Sequence, residues 1–119
     1  MTTKRNESGA VTAETATVIP VLVLGAAVLA WMVSFGVAQV RAVDAARETA
    51  RALARGEDVP SSLRLGQQIA PADAEIVVRD DGNDVVVTVT ASVHGPGRMF
   101  ASLGRPVRAE SVAAREDAP

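Results

Sequence analysis

Gly9-Ala10-Val11-Thr12-Ala13-Glu14, followed by the apolar run TATVIPVLVLGAAVLAWMVSFGVAQV over residues 15–40, decides how this chain is organised. The run holds 26 residues without a charge. As a helix it extends about 39 Å, against roughly 30 Å of bilayer hydrocarbon. It therefore crosses a membrane with tilt or with a protruding end. Glu14 stands at the border of the run, where a carboxylate needs water or a partner because hydrocarbon penalises charge. Ahead of it lie the small residues Gly9 and Ala10, and ahead of those a short basic leader with Lys4 and Arg5. An ordinary secretory signal has a core of about 7–15 residues and is cut at its far end. Gly36 with Ala38, or Val28 with Ala30, offers the spacing for such a cut, but the run is longer than such a core.

Working outward, the helix is predicted to continue past Val40. Residues 41–55, RAVDAARETARALAR, contain no Gly or Pro and are rich in helix formers. Val43, Ala46, Ala50 and Leu53 recur at spacings of three and four and form an apolar stripe; Arg41, Asp44, Glu48, Arg51 and Arg55 take the other, solvated face. Gly56 is a natural C-cap, and Pro60 prevents continuation. One helix from about Val11 to Arg55 results. Pro20 is expected to kink it or to end its first turn. Gly25, Ala26 and Ala27 would let a second helix approach closely. A short helix is predicted over Ser61–Ala70, capped by Ser61 or Ser62 and ended by Pro71.

The period then changes to two. Ala74–Arg79 reads as a strand, Asp80-Asp81-Gly82-Asn83-Asp84 as a turn, and Val85–Val93 as the clearest strand of the chain. In the latter Val85, Val87, Val89, Ala91 and Val93 share one face, and Thr88, Thr90 and Ser92 the other. Gly95-Pro96-Gly97 breaks it, Met99–Leu103 reads as one helical turn, and Val107–Ala113 as a third strand. The fold class is α+β: a long N-terminal transmembrane and amphipathic helix, a short helix and a small antiparallel sheet of about three strands. The domains divide as a leader over 1–9, a transmembrane helix over 10–40 and a soluble part over 41–119, with the helix extension at 41–55 and the sheet region at 74–114.

Composition narrows the function classes. The chain has 119 residues, a net charge of -2 and no cysteine. Nothing in that balance favours nucleic acid, and disulfides, thiolate metal sites and cysteine nucleophiles are excluded. Asp80, Asp81, Asn83 and Asp84 are the one set of oxygens that could hold calcium. Gly82 stands third rather than sixth and no glutamate closes the loop, so they read as turn chemistry. His94 is the single histidine. It lacks an activated nucleophile and an orienting acid; neither Ser92 nor Ser102 is marked as activated. No catalytic, cofactor-binding or metal site is expected, and no enzyme.

The Gly9–Glu14 junction, Pro20 within an apolar helix, and Arg41-Ala42-Val43-Asp44-Ala45-Ala46-Arg47 just after it together resemble the TadE-like minor pilins or pseudopilins, in the versions found in high-GC Gram-positive bacteria. The resemblance covers residues 6–55; the strand-rich remainder fits in general shape. It implies a small membrane component of a tight-adherence type IV pilus or related secretion apparatus, with a prepilin peptidase and other pilus proteins as partners. By position, Gly9 precedes the cut, Ala10 becomes the new N-terminus and Glu14 is the assembly carboxylate. Thr15 stands where major pilins of this kind often carry tyrosine, which favours a minor component. The alternative is a membrane-anchored extracytoplasmic binding or regulatory module.

Orientation divides two signals. The leader carries Lys4 and Arg5, and the other flank Arg41, Arg47, Arg51 and Arg55. Counting positive residues alone puts the C-terminal part in the cytoplasm. The processing site requires the leader to be cytoplasmic and the C-terminal part outside, and that is the topology expected here.

Overall fold

A computed structural model describes residues 2–94 and 104–116, with side chains from Gly9 onward. The element order is α1 (Thr2–Ala54), α2 (Val59–Ile69), β1 (Glu75–Asp80), β2 (Asp84–Val93) and β3 (Arg105–Ala114). The protein is α+β, as expected, with one three-stranded antiparallel sheet in the order β1-β2-β3. The chain divides into two compact units, Met1–Met32 and Val33–Pro119. The break at Gly95-Pro96-Gly97 and the helical turn expected over Met99–Leu103 lie outside the described residues.

Helix α1 begins nearer the N-terminus than its apolar periodicity indicates. The leader contains no proline, and Gly9 costs only about 0.5–1 kcal/mol inside a helix, so helical bonding continues through it. Pro20 lies within α1 and does not divide it. The far end stops where the sequence indicates. Gly56 adopts φ +89, its N–H donates to the Leu53 carbonyl at 3.0 Å, and the Glu57 N–H donates to Ala52 at 3.1 Å. This pair of bonds is a Schellman cap, and it needs a residue free of Cβ strain at the left-handed position.

Helix α2 starts earlier than expected. Asp58, not Ser61 or Ser62, is the N-cap, and its carboxylate accepts the Ser61 N–H at 3.1 Å. Pro60 sits in the first turn, where a missing N–H removes no helical bond. Ser62 is buried. Where α2 passes α1, a Cβ on Gly66 would lie 2.3 Å from Thr49 Oγ1 and 2.8 Å from Ile76 Cδ1, so only glycine fits.

β2 alternates from Val87 onward, while at its start Val86, on the other face, is buried as well. Val85, Val87, Val89 and Ala91 are buried, with Val93 packed at their margin. Register places Ile76 and Val78 beside Val89 and Val87 on this face, and Val107 and Ala109 beside Ala91 and Val89. Against them lie Ala38, Ala42, Ala45, Ala46, Ala50 and Leu53 of α1. The apolar stripe read as Val43, Ala46, Ala50 and Leu53 is thus wider and mostly alanine, with Val43 half-buried. Each fully buried valine contributes about 1.5–3 kcal/mol of burial free energy, so the sheet supplies more of the core than the helix does. Two further bonds tie β3 and the residues just after it to α1: Gln39 Nε2 donates to the Arg108 carbonyl at 3.3 Å, and the Glu116 N–H donates to the Ala54 carbonyl at 3.2 Å.

Candidate functional site

Gly9, Ala10 and Glu14 all lie on exposed turns of α1 in the first unit. Among the described residues nothing stands within 4 Å of where a Gly9 Cβ would be, so they place no steric demand for glycine there. A demand of that kind would have to come from whatever binds there. Glu14, Ala13, Thr17 and Val18 line a shallow concavity on the helix surface. Around it the polar side chains bond back to the helix. Thr15 Oγ1 donates to the Val11 carbonyl at 2.9 Å, and Thr17 Oγ1 to Ala13 at 3.0 Å. Such back-bonding lets hydroxyls lie in an apolar environment without orphaned polarity. Glu14 has no such route, since a carboxylate only accepts, and its neighbours' N–H groups are held in the helix.

The candidate span takes in the helical residues Gly9–Ala54, and by length and apolarity the helix is sufficient to cross a membrane. In the first unit the large apolar side chains face outward. Val18, Ile19, Val21, Leu22, Val23, Leu24 and Leu29 are all between 49% and 65% exposed. An apolar surface that continuous is stable only against lipid or another protein.

The acidic turn is built as a turn. Gly82 takes φ +90 and donates its N–H to Asp80 Oδ1 at 2.8 Å, while the Asp81 N–H donates to the Asp84 carbonyl at 3.0 Å. Arg115 closes on the Asp80 carboxylate through both Nε and Nη2, and its own N–H donates to the Asn83 carbonyl at 2.8 Å. Arg79 Nε lies 3.8 Å from Asp81. The Asp80 oxygens are therefore occupied by a guanidinium and a backbone N–H. Among the described residues no three His, Cys, Asp or Glu side chains gather. His94 is exposed at the end of β2, close to Gly104, and Ser92 is exposed on the sheet's outer face. Ser102 lies outside the described residues.

The charged face of α1 beyond Val40 is solvated. Arg51 pairs with Glu48 at 3.4 Å and Arg55 with Glu57 at 2.8 Å, and the hydrogen bond to Glu57 raises the Arg55 pKa. Arg41, Asp44 and Arg47 make no ion pair among the described residues. Sequence reasoning missed Gln39 and Arg115, each of which joins segments distant in the chain. A lone polar residue in an apolar run was the available signal for Gln39; for Arg115 there was none.

No protein-family model matches the chain, and no solved structure matches it. The chain is 47% identical over 75 residues to a protein named apoptosis inhibitor Rv3655c from Mycobacterium tuberculosis, a match that takes in 63% of this chain and 56% of that protein. It thus spans little more than half the length of the curated relative to which it is similar.

Proposed function

We propose that this protein is a minor pilin-like structural component of a tight-adherence pilus or related secretion apparatus, anchored by α1 and processed after Gly9. The observation that carries the reading is the Gly9–Glu14 junction at the head of a helix that first exposes a full apolar surface and then buries an alanine face under a small sheet. A peptidase that cuts after Gly9 would remove the leader, leave the anchor attached and expose Ala10 as a free amine. A neighbouring subunit's amine is a suitable partner for Glu14, which is exposed. That pairing lowers the desolvation penalty of both groups and rewards one register between helices. In this reading the leader is cytoplasmic and the second unit lies outside the membrane.

The test is intact-mass analysis of the membrane-extracted protein, together with Glu14→Ala and Glu14→Gln. The expected mature chain starts at Ala10. Both variants should be cut and inserted normally and should co-purify poorly with other pilus components. A mature N-terminus near Gln39, or assembly of both variants at the parent's level, overturns the reading. A reporter fused after Ala114 that works only in the cytoplasm overturns the topology.

One observation favours a second reading. The relative is named an apoptosis inhibitor, which suits a membrane-anchored module acting on a partner through its C-terminal unit. On that reading Glu14 variants keep full function, and substitutions on the outer sheet face, such as Val77→Asp, abolish it.

A further inference from the structure

The second unit exposes three valines on one face of α1: Val33 at 67%, Val37 at 48% and Val40 at 60%. At about 100° per residue they fall within one narrow stripe, and the same stripe continues as Asp44, Arg47 and Arg51. The opposite face of the same turns, Phe35 and Ala38, packs into the core. A short segment of helix is therefore covered by the sheet on one side and bare and apolar on the other. Length does not require this. Residues 15–32 alone span about 27 Å, close to the hydrocarbon thickness, so the unit could have stood clear of the bilayer with polar residues at 33–40.

The neighbouring strand shows the same preparation. Gln39 bonds to the Arg108 carbonyl and the Ala54 carbonyl accepts from Glu116, so β3 and α1 run in the same direction. The start of β3 then lies level with the valines. Its outward backbone is blunted there. The Arg108 carbonyl is turned away from β2 and is taken by Gln39. Pro106, two residues earlier and in the same orientation, has no N–H to leave unpaired. Two of the outward backbone groups at this end therefore place no demand on water. At this end Arg105 and Arg41 are exposed and make no ion pair among the described residues, while Arg108 lies 3.7 Å from Glu110.

We infer that the second unit rests on the bilayer through this end, with Val33, Val37 and Val40 among the headgroups and Arg41 and Arg105 on the phosphates of anionic lipid. Side chains lean toward the helix N-terminus, so Arg41 reaches back toward the valines. Mixed valine and arginine is what an interfacial surface requires: apolar groups for the acyl boundary and guanidinium groups for phosphate. Each arginine near an anionic surface adds roughly 1 kcal/mol of attraction. The inference rests on the anchored reading of α1 and not on the pilus.

The chain has no cysteine, so single labels can be placed cleanly on the full-length protein in nanodiscs. Val37→Cys reports the proposed surface, Val112→Cys the outer sheet face, and Leu24→Cys the anchor. In discs with about 30% phosphatidylglycerol, the label at 37 should be at least about threefold less accessible to aqueous iodide than the label at 112, and quenched by shallow nitroxide lipid. Arg41→Gln with Arg105→Gln, or replacement of phosphatidylglycerol by phosphatidylcholine, should raise iodide access at 37 while leaving 24 protected. Equal access at 37 and 112 with 24 protected overturns the inference and leaves the anchor intact. Protection at 37 that needs two copies per disc assigns the stripe to a second chain and overturns it as well. Protection indifferent to both the arginine variants and the lipid charge removes the anionic lipid from the proposal. Access at 24 equal to that at 112 refutes the anchored reading itself.

Discussion

Residues 9–32 and 33–54 belong to one helix, α1, yet they place their apolar groups in opposite ways. In the first stretch the bulky residues, such as Leu22 and Leu24, are exposed at 65% and 50%. In the second the buried face is almost all alanine, at 0–6% exposure, and the bulk comes from the valines of the sheet. Helical periodicity marks the first as apolar all round and the second as one-sided, but does not say what each apolar face meets. Side-chain size separates them. A helix that meets lipid on every side gains by presenting large side chains, whereas one that lies on a valine-rich sheet needs small ones, because interiors fill at near-crystalline density.

The sharpest way to break this contrast is to place the same charge in each stretch. Ala46→Asp puts an unpaired carboxylate where there is no exposure, at a cost on the order of 3–5 kcal/mol. It should abolish slow amide exchange across Val85–Val93 in detergent micelles, since typical domains hold only about 5–15 kcal/mol in all. Leu22→Asp should leave that exchange untouched and instead reduce membrane integration, by roughly 2.5–3.5 kcal/mol on an insertion assay. If Leu22→Asp unfolds the sheet, the two stretches are not separate in their roles.

A smaller effect probes how closely α2 approaches the second stretch. Gly66→Ala drives a Cβ to 2.3 Å from Thr49 Oγ1, an overpacking expected to cost about 1–3 kcal/mol in chemical denaturation. Thr49→Ala in the same chain should recover part of that loss, so the pair should be non-additive. Thr49 supplies the next step down. Among the described residues its buried hydroxyl has no hydrogen-bond partner, so Thr49→Val, which keeps the shape, should be neutral or stabilising by up to about 1 kcal/mol.

The smallest effect lies at the start of α2. The Asp58 carboxylate accepts hydrogen bonds from Ser61, which hold its pKa below the ordinary value. A carboxylate with a depressed folded pKa contributes stability that is fully present above its unfolded pKa, about 3.9, and is lost as pH falls through the folded one. Asp58→Ala should therefore lower the melting temperature slightly at pH 6. The gap from the parent should narrow as the pH is taken below that range, where the parent's own cap becomes protonated. A gap constant down to pH 2 would mean the cap acts by shape and not by charge.

Much of this protein was written locally in its sequence. The charge-free run of 15–40, the Gly56 cap, the two-residue period of β2 and the Asp-Gly turn each depend on neighbours a few residues away, and each stands in the structure at or near its expected place. The junction at Gly9, Ala10 and Glu14 was equally legible as a pattern, because a linear motif is complete in the sequence that carries it. Tertiary structure decided the rest. The Asp58 cap is itself local, a carboxylate three residues before the N–H it accepts, but the tertiary structure committed Gly66 to a crossing with Thr49 and brought Arg115 to Asp80 from 35 residues away. It also decided that residues 33–40 carry an apolar outer face while packing under a sheet. A residue's local signals specify its backbone state, but which of its faces is covered depends on chain that folds back from far along the sequence, and only the assembled contacts determine that.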